Sequence, residues 1–318
     1  MTARNHHYLP QCYLNGFAAN RENPKLFAID LVDRKSFWPR PRNVAAARDF
    51  NRVEIDGHEP DAVENALSGF ESELGPALVR ICEARSIANE EDRTLLLNLV
   101  GLAAMRTPRF REAMDDFQKR VIRQIIAMTV ATPERWESTK RGARESGHLS
   151  PEKDLSYEEA KRFVTEGQFE LEIPNTRHVV NELETFEHVL PIVFERTWSL
   201  IRSPPNANFI TTDHPLCLVR RGAGPHPPHP PGLGTRNTDA LFPISPELAL
   251  FGNFEMGEPD VFDVSDISVA EFNGTMALSA RRQLYARDDG FPYRLSGDQV
   301  HRHGAALLED ERFVRRPR

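Results

Sequence analysis

The sequence predicts an α+β fold, a helical middle segment packed on a small, mostly antiparallel sheet built from N-terminal and C-terminal strands. Three observations carry this expectation. Near the start, "KLFAIDL" (25–31) alternates apolar and polar residues as a half-buried strand does. From Pro60 to about residue 196, apolar residues recur at helical spacing. Between 198 and 253 the period shortens to brief β-like runs punctuated by proline or glycine. With no internal repeat and no clean linker, the 318 residues are expected to form a single interleaved domain over 1–318. Flexible excursions are expected near 133–155 and 220–237.

Each element has a local reason. Pro10 suits a first helical position and opens a short helix over 10–18, with Tyr13, Leu14 and Phe17 on its apolar side. The strand at 25–31 finds a hairpin partner in "DRKSFW" (33–38), and 40–50 reads as a loop or edge. Past Pro60, residues Val63, Leu67, Phe70, Leu74, Leu78 and Ile81 form one stripe, and Gly75-Pro76 is expected to kink or divide that helix. Residues 89–105 form a second helix with acidic residues in its first turn, where the dipole favours them. Pro108 marks a bend or restart. The polar stretch 133–155 is followed by helices at 156–167 and 176–196. Strands are expected at 198–203, 207–219, 240–245, 248–253 and 282–287, with a last helix near 265–280. Residues 207–213 are the most β-branched, so that strand is expected to be central, with Asp213 emerging at its end.

Composition narrows the function classes. A net charge of −7 argues against generic binding to a phosphate backbone, although a local basic patch remains compatible with it. Cys12, Cys82 and Cys217 have no paired spacing, which argues against a zinc site or a disulfide framework and suits a reducing compartment. The longest apolar runs are too short for a bilayer, and no secretory signal is evident, so a cytoplasmic location and no membrane partner are expected. Phosphate-loop, nucleophile-elbow and HExxH patterns are absent. His226 and His229 sit in a Pro/Gly loop that can take up metal adventitiously without offering a rigid site.

Three stretches can carry chemistry. In "NHHYLPQCYLNGFA" (5–18), His7 precedes the short helix and Gln11 follows about one turn later. The imidazole can serve as base, acid or ligand. The alternative is a clip in which the apolar residues dock the segment and the histidines stay partly solvated. In "FITTDHPLCLV" (209–219), Thr212 and Asp213 end a strand before a proline, suiting either a site or an Asx-turn that stops the strand. On the first long helix Glu64 and Glu71 are seven apart and share a face. Arg106 and Arg109 flank Thr107-Pro108 at a helix break, where guanidinium groups can bind an anion or simply form a solvated charged face.

The four segments "HHYLPQCYLNGFA", "VGLAAMRTPRFRE", "FITTDHPLCLV" and "FPISPELAL", in this order, resemble an uncharacterised, mostly bacterial family, domain of unknown function 4238. The resemblance spans about residues 5–288, and the opening motif is its most specific part. It implies that the polar family positions are His7, Gln11, Arg106, Thr212 and Asp213 here. Thr212 stands where serine is usual, and His214 where asparagine is usual. No activity comes with the resemblance.

Taken together, His7, Gln11, Arg106 and Asp213 are expected to line one concave polar pocket. In the first reading the protein is a hydrolase, nuclease- or phosphodiesterase-like, acting on a phosphodiester or other anionic substrate. His7 is then general base or acid, Gln11 orients substrate or water, and Asp213 orients His7 or binds metal. Arg106 clamps the anion, with Arg109 and Thr212 as further ligand contacts. Asp213, Glu64 and Glu71 would hold Mg²⁺ or Mn²⁺, for which hard oxygen ligands are suited. In the second reading the same cleft belongs to a non-catalytic ligand sensor or interaction protein of bacterial stress or phage defence, with a small anionic ligand, nucleic acid or peptide terminus as partner. A third leaves these residues as a polar network that fixes packing.

Overall fold

A computed structural model describes residues 5–20, 22–150, 155–167, 169–222, 229–295 and 299–314. His226 lies outside the described residues. The chain divides into two compact units, one formed by residues up to 110 together with those from 179 onward, the other by 111–178.

The first unit opens with β1 (Asn5–His7) and α1 (Gln11–Asn15), followed by the hairpin β2 (Phe27–Asp30) and β3 (Lys35–Phe37), then β4 (Ala46–Arg48). Two long helices follow, α2 (Ala62–Ala84) and α3 (Glu90–Met105). α2 runs unbroken with Pro76 inside it. At Gly75, next to that proline, a Cβ would already touch the Cβ of Cys12, so α1 packs closely here. The Asn89 side chain caps α3 by accepting the Asp92 amide at 2.9 Å. Arg106 leaves the helical conformation (φ −103°, ψ 56°), and α4 (Pro108–Thr129) restarts at the proline.

In the second unit, α4 continues into α5 (Pro133–Glu145) and α6 (Tyr157–Thr165). Residues 133–145 are thus helical where the polar composition suggested an irregular excursion. Thr132 accepts the Arg135 amide as N-cap and Pro133 occupies the first turn, local signals that outweigh the missing apolar stripe. α6 begins with a reciprocal capping box between Ser156 and Glu159.

After α7 (Asn175–Glu195) the chain returns to the first unit through β5 (Thr197–Arg202), β6 (Thr211–Thr212), β7 (Cys217–Arg220), β8 (Thr238–Ser245), β9 (Leu248–Asn253) and β10 (Val261–Asp263). Then come α8 (Asp266–Ser279), β11 (Gln283–Ala286) and the short α9 (Glu311–Val314). Among the described residues the strands form a five-stranded sheet (β10-β5-β9-β8-β7), a four-stranded sheet (β3-β2-β11-β6) and the pair β1-β4. Only β10 and β5 pair in parallel among these. The fold class is α+β, and the four-stranded sheet joins N-terminal β2 and β3 to C-terminal β6 and β11.

The expected central strand at 207–213 is instead the two-residue edge strand β6. The Phe209 amide goes to the Pro246 carbonyl and the Ile210 amide to the Asn273 side chain, so these residues are buried without joining a ladder. Their β-branched, apolar character reflects burial, not sheet position.

Alternation along the strands separates two cores. Ala28, Leu200, Phe242, Leu250 and Tyr285 face a cluster built with α1, α2 and α3. Phe27, Ile29, Ile201, Ala249 and Leu284 face another, built with Phe272 and Met276 of α8. Leu9, Tyr13, Leu14 and Phe17 are all fully buried in the first. The Tyr13 hydroxyl lies 2.7 Å from Thr211 Oγ1 and donates to the Pro243 carbonyl at 2.8 Å. One hydroxyl thereby joins the edge of the four-stranded sheet to β8, an inner strand of the five-stranded one. Tyr13→Phe should cost about 1–3 kcal/mol, because it strands buried polar atoms, whereas Leu14→Ala should cost about 2–5 kcal/mol through its cavity. Urea unfolding of both variants measures this, and a neutral Tyr13→Phe would refute the bridging role of the hydroxyl.

Candidate functional site

Pairing of β1 with β4 sets Asn5 opposite Arg48 and His7 opposite Ala46. Successive side chains point to opposite faces, so His6 is buried and His7 is only half-buried. Ala45 (φ 51°) and Asp49 (φ 54°) are left-handed and bracket β4. For a non-glycine residue that conformation costs about 1–2 kcal/mol. The second bend returns the chain over His6, where the Asn51 amide donates to His6 Nδ1 at 2.9 Å.

Asn51 is a hub that the sequence reading missed. Its Nδ2 donates to Glu64 Oε2 at 2.5 Å, and its Oδ1 accepts from the Arg106 guanidinium at 2.9 Å. Arg106 also donates to the His7 carbonyl at 3.5 Å. On the more exposed side, the His7 ring lies 3.2 Å from the Arg42 carbonyl through Nε2 and 3.4 Å from the Gln11 amide nitrogen through Nδ1. A carbonyl only accepts, so Nε2 carries the proton and Nδ1 accepts from Gln11. The Gln11 backbone amide, an orphan donor at the start of α1, goes to Glu71 Oε2 at 3.3 Å. The structure thus brings His7, Gln11, Glu64, Glu71 and Arg106 into one network over buried His6 and Asn51.

The electrostatics follow from half-burial. Loss of water lowers the His7 pKa, with the Arg42 carbonyl and Glu64 opposing and His6 reinforcing. Burial raises the Glu71 pKa and Glu64 adds to it, against the Gln11 amide and Arg106. An imidazole with a lowered pKa and a carboxyl with a raised one therefore share Gln11, a pairing suited to proton transfer.

Asp213 is held elsewhere. Its carboxylate accepts the backbone amides of Arg281 (2.9 Å), Arg282 (2.7 Å) and Gln283 (3.1 Å), fastening the end of β6 to the start of β11. Asp213 and His7 share no hydrogen bond; it is Tyr8, bonded to Tyr285, that feels the Asp213 charge. Held by those amides at the start of β11, Asp213 does not form a group with Glu64 and Glu71. No group of three or more His, Cys, Asp or Glu among the described residues is arranged to hold a metal ion. Thr212 Oγ1 accepts the His214 amide in the turn, and Arg109 donates to the Ser279 carbonyl at the end of α8. These three residues hold turns and a helix end. No missing sequence motif hides Asn51 and His6: an asparagine in "DFNRVE" and a histidine in a short strand carry no periodic signal.

The chain belongs to the family described as Protein of unknown function (DUF4238), whose model matches residues 5–290. No curated protein and no solved structure matches it. No helix among the described residues is long and apolar enough to cross a membrane.

His214 is mostly buried, and burial, helped by Arg109, lowers its pKa to about 4. Its nearest polar partner is Thr107 Oγ1 at 3.5 Å. The folded state binds this proton less readily than the unfolded chain, whose histidine titrates near 6.5. The stability it contributes is therefore present above pH 6.5 and lost as pH falls toward 4, by about 3 kcal/mol. His214→Asn should flatten this part of the acid slope. Denaturant midpoints of both proteins from pH 7 to 4 test this, and parallel curves would refute it.

Proposed function

We propose that the His7–Gln11–Glu71 network is the active centre of a hydrolase acting on a phosphodiester or another anionic ester. The observation that carries this reading is the pairing of His7 with Glu71 through Gln11, two half-buried groups whose pKa values are displaced toward each other. Neutral His7 takes a proton from water once Gln11 releases Nδ1, and protonated Glu71 gives one to the leaving oxygen. Arg106 does not face the substrate as a clamp. It lies beneath the network on Asn51 and the His7 carbonyl, and its charge opposes the burial that raises the Glu71 pKa. Asn51 is a positioning residue, holding Glu64 and Arg106 in register.

One observation favours a second reading, a non-catalytic ligand sensor of bacterial stress or phage defence: both His7 ring nitrogens already have partners. A panel of nitrophenyl esters, nitrophenyl phosphodiesters, nucleotides, RNA and DNA, each with and without Mg²⁺ or Mn²⁺, separates the two. For the substrate turned over, His7→Ala and Glu71→Gln should each lower kcat by about 10²–10⁴-fold with folding intact. Turnover unchanged in both variants, or none with any substrate, would remove the hydrolase reading. In the latter case, ligand-induced thermal shifts lost in the same variants would establish the sensor.

A further inference from the structure

The two contacts on the His7 ring differ in kind. Nε2 meets the Arg42 carbonyl at 3.2 Å, part of the backbone of a tight helical turn at Pro41–Asn43. The Asn43 amide donates to the Arg40 carbonyl at 2.9 Å and the Val44 amide to the Pro41 carbonyl at 3.2 Å. The Arg42 carbonyl therefore cannot withdraw without unwinding that turn. Nδ1 meets the Gln11 carboxamide nitrogen at 3.4 Å, beyond the about 2.7–3.2 Å usual for N–H···O bonds. Gln11 is tied down by its main chain. Its backbone amide is on Glu71 at 3.3 Å, and α1 is seated by the buried Leu9, Tyr13, Leu14 and Phe17. That seating aims the side chain at His7. The carboxamide itself makes one hydrogen bond among the described residues, the one to Nδ1.

One ring nitrogen is thus held by a fixed group and the other by a side chain that can leave. Both His7 and Gln11 are half-buried, within reach of an incoming molecule. A carboxamide N–H that serves an imidazole can serve a stronger acceptor, and hydrogen bonds to ionised oxygens are roughly twice as strong as neutral ones. An anionic oxygen beside Gln11 would draw its N–H off Nδ1 and free that lone pair, while the Arg42 carbonyl keeps the ring proton on Nε2. We propose that the Gln11 carboxamide is a latch on His7, closed over Nδ1 in the free protein and opened when an anionic oxygen of the ligand takes its N–H. This rests on the reading of His7 as the base, and it accounts for a resting site in which both ring nitrogens are occupied.

Diethyl pyrocarbonate acylates an unprotonated imidazole nitrogen, so it reads the latch on the full chain without any substrate. The reaction is run at mildly alkaline pH, where imidazoles are neutral. Tandem mass spectrometry follows His7, with exposed His58 as the reference and buried His6 as the check that β1 stays seated. Gln11→Met keeps the length and bulk of the side chain and removes the donor, whereas Gln11→Ala removes both. Modification of His7 should rise several-fold in Gln11→Met and at least as much in Gln11→Ala, the factor expected of one neutral hydrogen bond. Phenylphosphonate, an anion with no ester to cleave, should bind the wild type and lose several-fold in affinity in Gln11→Met by calorimetry. An unchanged His7 rate in Gln11→Met would overturn the latch, and so would a rise confined to Gln11→Ala, which marks shielding by bulk alone. Equal phosphonate affinity in the two proteins, or no binding to either, would overturn its opening by an anion. A rise in Gln11→Met with no substrate turned over would leave the latch standing and remove only the hydrolase reading.

Discussion

The hydroxyl of Tyr13 is the point on which the arrangement turns. A five-residue helix cannot hold itself together in water, because nucleation costs more than one turn of hydrogen bonds returns. α1 exists because Leu9, Tyr13, Leu14 and Phe17 are buried completely, and the Tyr13 hydroxyl finds partners on two sheets at once. That fixes α1 in rotation as well as depth. Gln11, two residues before Tyr13, then has one orientation available, with its backbone amide on Glu71 and its side chain on His7. The packing and the polar network are therefore one structure. The apolar face sets where the polar face points.

What was legible in the sequence divides along the same line. Features written as local pattern came through: the hairpin at 27–37, the acidic first turn of α3, the restart at Pro108 and the shared face of Glu64 and Glu71. Convergence of His7, Gln11 and Arg106 was readable because each sits at an element boundary beside an apolar anchor. Some features decided by long-range pairing were not. Residues 207–213 look like a central strand because β-branched side chains report burial, yet their amides go to Pro246 and Asn273. Asp213 looks like a site residue because a strand-end carboxylate before proline suits either role. Three backbone amides, supplied from 281–283, decide for the fastening role, and no window around 213 contains them. Asn51 was illegible for a further reason. Its importance comes from three partners at His6, Glu64 and Arg106, none of which is near it in sequence.

Charge at the network constrains what it can receive. Glu64 and Glu71 face one buried guanidinium, so with both carboxylates ionised the centre is net negative and repels an anion. The raised pKa of Glu71 changes this balance. In the proposed hydrolase, a proton on Glu71 would leave less negative charge facing an anionic ester and would set an acid beside its leaving oxygen. Substrate entry and protonation of Glu71 are then linked, since each favours the other. A divalent cation on ionised Glu64 and Glu71 would meet the same electrostatic need by another route, but it would remove the acid. Proton and cation are thus mutually exclusive occupants of Glu71, and the two forms of the chemistry cannot operate together. The hydrogen bond from Gln11 to Glu71 favours the ionised form, but burial, the larger effect, favours the protonated one, and the seating of α1 contributes to both. That returns the chemistry to the seating of α1, and through it to Tyr13.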